Sequence, residues 1–160
     1  MKFDRLCVLI AATFASPIAI GQPAETFPSE IQGIWMTDDG EGQVQCRNYR
    51  AAERSGDVDA TEYLVGSEVI RSTRWHSYAE YGEGNSYEVA SVQAMSVERW
   101  RLKANSYIDN ETGGQAIFRV HIEDGKLFWI FESIGGLAVD SWDEHRYFRC
   151  ADVPDELYAS

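Results

Sequence analysis

Ala116-Ile117-Phe118-Arg119-Val120-His121-Ile122-Glu123-Asp124-Gly125-Lys126-Leu127-Phe128-Trp129-Ile130-Phe131-Glu132-Ser133 is the stretch that decides the fold class. Ala116, Phe118, Val120 and Ile122 fall on one side of an alternation and Arg119, His121 and Glu123 on the other, the period of two that marks a half-buried strand. Asp124-Gly125 then accepts the positive φ angles of a tight hairpin turn. On the return, Leu127, Trp129 and Phe131 share one face while Phe128 and Ile130 make the other apolar, which predicts a strand covered on both sides.

Outward from this hairpin the same period recurs. Short strands are predicted at 34–37, at 44–50 around Cys46, through 63–78 as one strand or two broken near Gly66, at 87–97, at 99–108 and at 144–150. Loops are predicted at 38–42, 51–59, 81–85 and 109–114, and the Gly135-Gly136 pair is a break. About eight strands at this spacing predict an all-β domain, a single antiparallel barrel or strongly curved sheet, with no long helix. An eight-strand barrel leaves no exposed edge and can hold one small ligand. The domain is placed at 31–153, with an extended leader at 22–30 that holds Pro23 and Pro28 and a tail at 154–160.

Residues 1–21 have the layout of a secretory signal peptide: Lys2 and Arg5, an apolar run from Leu6 to Ala15, then Ala19-Ile20-Gly21 as a cleavage region. The apolar run is about ten residues, too short for the roughly twenty that span a bilayer. Cys7 precedes it, so it does not sit where a lipid-modified cysteine would. Cleavage after Gly21 would remove Lys2, Asp4 and Arg5, leaving 12 basic and 25 acidic residues, a formal charge of −13. Such a surface repels phosphate backbones and anionic lipid heads, which argues against nucleic-acid or membrane binding; it favours a cationic partner or serves solubility alone. Cys46 and Cys150 would then be the remaining cysteines. In an oxidising compartment they predict a disulfide, closing a loop of about 100 residues and contributing roughly 4–5 kcal/mol by chain entropy. Zinc is the rival use, although two distant cysteines without paired histidines make a poor ligand set.

Gly33-Ile34-Trp35 on the first strand, with Arg149 or Arg146 on the last, resembles the Gly-x-Trp opening of lipocalins and the wider calycin group. The resemblance implies an up-and-down barrel in which Trp35 closes one end beneath a terminal-strand arginine, Arg149 in the preferred assignment. An arginine over an indole face gains cation–π energy there. The likeness covers three residues and that arginine, and the chain has no Thr-Asp-Tyr signature.

No Gly-x-Ser-x-Gly elbow, phosphate loop, dinucleotide fingerprint or His-Glu-x-x-His is present, so no cofactor or metal is assigned. His121 and Glu123 share a strand face, where two ligands fall short of a metal site. The densest polar constellation runs from Arg74 to Tyr87. Arg74, His76 and Tyr78 would share one face, with Glu80 continuing it if the strand stays regular, and Tyr81 and Tyr87 nearby. These six are the candidate residues for a ligand or partner, while the frequency of aromatic pairs in sheets favours the plainer reading of cross-strand pairs at a hairpin end. The expected function is that of an exported, periplasmic or secreted, monomeric and non-catalytic barrel that binds an unknown small molecule or a basic protein. Alternatives are a periplasmic inhibitor or immunity-type protein directed at a basic enzyme such as lysozyme, an envelope structural component, and an enzyme using His76.

Overall fold

The computed structural model describes residues 26–56, 60–79, 84–108, 111–139 and 144–154. The predicted signal peptide, most of the tail, Glu80 and Tyr81 lie outside these residues. The elements in chain order are β1 (Gly33–Thr37), α1 (Gly40–Ser55), a 3-10 turn (Ala60–Leu64), β2 (Glu68–Ile70), β3 (Arg74–Tyr78), β4 (Gly84–Ser96), β5 (Arg99–Ile108), β6 (Glu111–Glu123), β7 (Lys126–Ile134), β8 (Leu137–Ala138) and β9 (His145–Ala151). Every strand pairing is antiparallel. The order β1-β2-β3-β4-β5-β6-β7-β9 returns to β1 and closes an eight-strand barrel, with β8 an extra strand beside β7.

The hairpin that decides the fold class forms as its residues dictate. Asp124 and Gly125 both take positive φ, 51° and 72°, between β6 and β7. Ala116, Phe118 and Val120 face the lumen with Leu127 and Trp129. On the outer face, Phe128 is half-buried, sandwiched between the stacked His121 ring and the Arg146 guanidinium.

Three local expectations are overturned. The predicted strand at 44–50 and the first part of the predicted loop at 51–59 are one helix, α1. Val44 and Cys46 suggested alternation, but Val44 points to solvent, and the buried set Gly42, Cys46, Tyr49 and Ala52 has the three-to-four spacing of a helix face. Its ends carry ordinary signals. The Asp39 side chain accepts from the Gly42 N–H at 2.8 Å, and Gly56, at φ 70°, ends the helix by donating to the Ala52 and Glu53 carbonyls. The stretch 63–78 is also not a single strand, and its break is not at Gly66. Tyr63 and Leu64 close the 3-10 turn, and the chain reverses at 71–73, where the Arg71 N–H donates to the Arg74 carbonyl. Residues 111–114, expected in a loop, begin β6.

Apolar side chains divide between the two sides of the barrel wall. Ile34, Met36, Val69, Tyr78 and Cys150 face outward and are roofed by Cys46 and Tyr49 of α1 and by Leu64. The Cys46–Cys150 disulfide ties α1 to β9, and the Arg50 guanidinium donates to the Cys150 carbonyl beside it. Inside, Trp75 is central. Its ring stacks on Phe118 at 5.2 Å and meets Phe27, Tyr87 and Trp129 edge-on at 5.5–6.2 Å. Trp75, Phe118, Leu102, Ala104, Ala116 and Leu127 are all 0 % exposed, so no water-sized void adjoins them. At this level the lumen is filled.

The barrel has two unlike ends. Turns 71–73, 97–98 and 124–125 and the segment 26–32 lie at the base, where Phe27 and Ile31 enter the core. The Trp35 indole donates to the Ile31 carbonyl at 2.8 Å, and the Arg149 guanidinium sits 5.7 Å from the Trp35 ring centre. Gly33 has φ 151°, and a Cβ there would press on Arg149 and the Ala151 carbonyl at 3.2 Å, so the position is reserved for glycine. The connections β1–α1, β3–β4, β5–β6 and β7–β9 leave from the opposite end, the mouth.

Replacing Cys46 and Cys150 together by serine is expected to lower the unfolding free energy by about 3–5 kcal/mol, because the bond closes a loop of 104 residues. Urea titration followed by tryptophan fluorescence measures this; a change below about 1 kcal/mol would show that the bridge does not constrain the unfolded chain.

Candidate functional site

β2 is three residues long and buried on both faces. Val69 points outward beneath α1, so Glu68 and Ile70 point into the lumen. Glu68 is 1 % exposed, the one acidic residue among the described residues placed in the core. Its register brings it opposite Trp35 on β1 and Ser77 on β3. One carboxylate oxygen accepts from the Trp75 indole at 2.6 Å, and the other accepts from the Tyr147 hydroxyl at 3.0 Å and the Ser77 hydroxyl at 3.1 Å.

Burial disfavours the charged form and pushes the Glu68 carboxyl up to about 7, against the opposing hydrogen bonds from Trp75, Tyr147 and Ser77. Tyr147 and Tyr87 are likewise pushed up, first by burial and then by the nearby Glu68 charge. A carboxyl with three donors and no exposed surface is a structural centre that changes charge near neutral pH. It meets no solvent at which to transfer a proton to a substrate.

The predicted site residues are divided by the barrel wall. Arg74, His76 and Tyr78 do share the outer face of β3. Arg74 pairs with Glu88 at 2.8 Å, and its hydrogen bond holds the Glu88 carboxyl below the usual range. His76 Nδ1 lies 2.8 Å from the Ser86 hydroxyl, and its ring edge meets Tyr78 at 4.2 Å. Tyr78 is buried in the outer cluster. Tyr87, which pairs with Trp75, instead points into the lumen and packs on Phe118 at 4.9 Å. Glu80 and Tyr81 fall outside the described residues.

Glu68 escaped the sequence because a glutamate after Gly66-Ser67 looks like the edge of a turn. The available signal was Val69-Ile70, two consecutive apolar residues that require cover on both faces and so pull the neighbouring Glu68 inward.

The mouth has its own chemistry. In sequence, the stretches that link those strands read Asp38-Asp39-Gly40-Glu41, Glu80-Tyr81-Gly82-Glu83, Asp109-Asn110-Glu111 and Asp140-Ser141-Trp142-Asp143-Glu144, ten carboxylates without a lysine or arginine, of which Asp38, Asp39, Glu41, Glu111 and Glu144 are among the described residues. Among the described ones, Asp38 is neutralised by Lys126 at 2.7 Å and Arg146 at 2.6 Å, and the Lys126 hydrogen bond leads in holding its carboxyl below the usual range. Glu41 and Glu111 are exposed. Among the described residues no group of three or more histidine, cysteine or carboxylate side chains converges on a metal position.

Comparison with protein-family models, with curated proteins and with solved structures finds no match for this chain.

Glu68 predicts a pH dependence with a definite sign. Its folded value, about 7, lies above the ordinary 4.5, so the folded state holds the proton more tightly. The stabilisation is complete below pH 4.5 and is lost as pH rises through 7, on the order of 3 kcal/mol in all. Urea titrations of wild type and Glu68→Gln at pH 4.5 to 8 check this: the wild type is expected to weaken relative to the variant as pH rises. Parallel pH profiles would show that Glu68 does not titrate in this window.

Proposed function

We propose that this chain is an exported, non-catalytic, calycin-like barrel that binds a basic protein at its acidic mouth. The filled lumen carries this proposal. With Trp75, Phe118 and Leu102 at 0 % exposure, an apolar ligand has no room among them, and recognition moves to the rim and outer surface. The sequence stretches that link the strands at that end are rich in carboxylates, with Glu41 and Glu111 exposed among the described residues, and opposite charge there raises the encounter rate of a cationic partner.

Export is supported by the signal-peptide layout of residues 1–21 and by a buried disulfide that persists outside the cytosol. The calycin-like part is supported by Gly33, Trp35 and Arg149 acting together at the base. A basic lysozyme is a concrete partner of the required charge. An inhibitor of this kind would seat its acidic rim over the cationic enzyme and need no catalytic group of its own.

The mature protein, mixed with basic lysozymes at low salt, is expected to lower muramidase activity at micromolar concentration. The effect should weaken as ionic strength rises past about 0.1 M, where the Debye length falls to roughly 10 Å. Glu41→Gln with Glu111→Gln should slow association at low salt. No complex with any basic lysozyme or other cationic protein at micromolar concentration would remove the proposal.

A further inference from the structure

The outer wall has a second surface of the opposite sign, independent of the mouth. β5 alternates strictly, with Trp100, Leu102, Ala104 and Ser106 inward and Arg99, Arg101, Lys103 and Asn105 outward. Across the β5–β6 ladder, Arg101 faces Arg119 and Arg99 faces His121. Like charges directly opposed on one sheet face cost stability. Glu132 of β7 relieves one pair, accepting from Arg101 at 2.7 Å and lying 3.2 Å from Arg119, which occupies both its oxygens. No carboxylate among the described residues pairs with Arg99 or Lys103. Four of the chain's 14 lysines and arginines therefore stand together on a protein of net charge −12.

The same wall is concave. A groove of about 390 Å³ is lined by Arg99, Arg119 and His121 together with Met95, Ile130 and Glu144. Met95 is 59 % exposed, and beside it Val97 at the hairpin tip is 88 % exposed. The volume falls within the range of about 300–1,000 Å³ typical of small-molecule sites, and the lining combines cationic with apolar side chains. Glu144, 3.8 Å from His121, is the one carboxylate in the lining.

We propose that this groove binds a small organic anion with an apolar body, its acid group held by Arg99 and Arg119 and its body laid against Met95 and Ile130. Arg99 is the anchor, because it carries an uncompensated charge. Glu144 opposes the ligand's charge and sets an upper limit on affinity.

Anilinonaphthalene sulfonate is a suitable probe, with its uncharged relative N-phenylnaphthylamine as the control. Fluorescence titration of the mature protein is expected to show saturable binding of the sulfonate, at least about fivefold tighter than the neutral compound, as a charge-assisted contact provides. Arg99→Gln, at an exposed position with no side-chain partner, should weaken it about fivefold or more with an unchanged thermal melt. Glu144→Gln should tighten it about twofold by removing a like charge. Opposite shifts from the two variants are the signature of an anion in this groove. Equal affinity of wild type and Arg99→Gln, or equal binding of the charged and neutral probes, would overturn the proposal. Because Arg99 lies on the β5 wall and belongs to none of the acidic connections, lysozyme binding should be retained in Arg99→Gln, and loss of lysozyme binding alone would leave the groove standing.

Discussion

The pairing of β9 between β7 and β1 is the constraint on which the other features depend. It joins residues separated by most of the domain, and loop-closure entropy opposes such contacts. Three interactions offset that cost at one seam: the Cys46–Cys150 bond, the Arg50 hydrogen bond to the Cys150 carbonyl, and Arg149 resting on Trp35. Each joins β9 to an early part of the chain, α1 or β1. Once the ring is closed no strand of the barrel has an open edge, and the lumen has a fixed cross-section that the inward side chains must match.

That match explains the pattern of large and small residues. Ala104 and Ala116 face each other across the β5–β6 ladder, small residues in the same core cluster as the large rings of Trp75 on β3 and Phe118 on β6. Filling the lumen with indole and phenol rings introduces polar atoms, and these need partners when buried. Glu68 supplies acceptors for two of them, the Trp75 indole and the Tyr147 hydroxyl. A carboxylate at the centre of an aromatic core is thus a consequence of choosing tryptophan and tyrosine to fill it, and the price is a charge that burial makes unstable at neutral pH.

The strand-rich architecture was legible in the sequence wherever one face was buried and the other wet, as at Ala116 to Glu123 and along Arg99 to Ile108. There alternation alone assigns the element and its inward side. It failed at Val44 to Arg50, where the chain covers the barrel's outside and a helix buries one stripe at Cys46, Tyr49 and Ala52. Asp39 and Gly56 marked both ends of that helix, but a two-residue coincidence at Val44 and Cys46 mimicked a strand. Of the candidate residues, Arg74, His76 and Tyr78 were correctly grouped by period. Tyr87 was not separable from them, because sequence does not reveal on which side of the wall a returning strand points. Glu68 was only partly legible: Val69-Ile70 calls for cover on both faces of β2, but which face is inward follows from register with Trp35 and Ser77, a property of the closed ring.

Net charge conceals how this molecule is polarised. A net charge of −12 does not show how charge is distributed, for β5 and β6 line one wall of this acidic protein with arginine and lysine. Strand alternation produces this separation: inward positions must be apolar, so charge is confined to outward positions and loops. Each outward row is then free to carry one sign. The β5–β6 wall repels cationic groups even though the molecule as a whole is acidic.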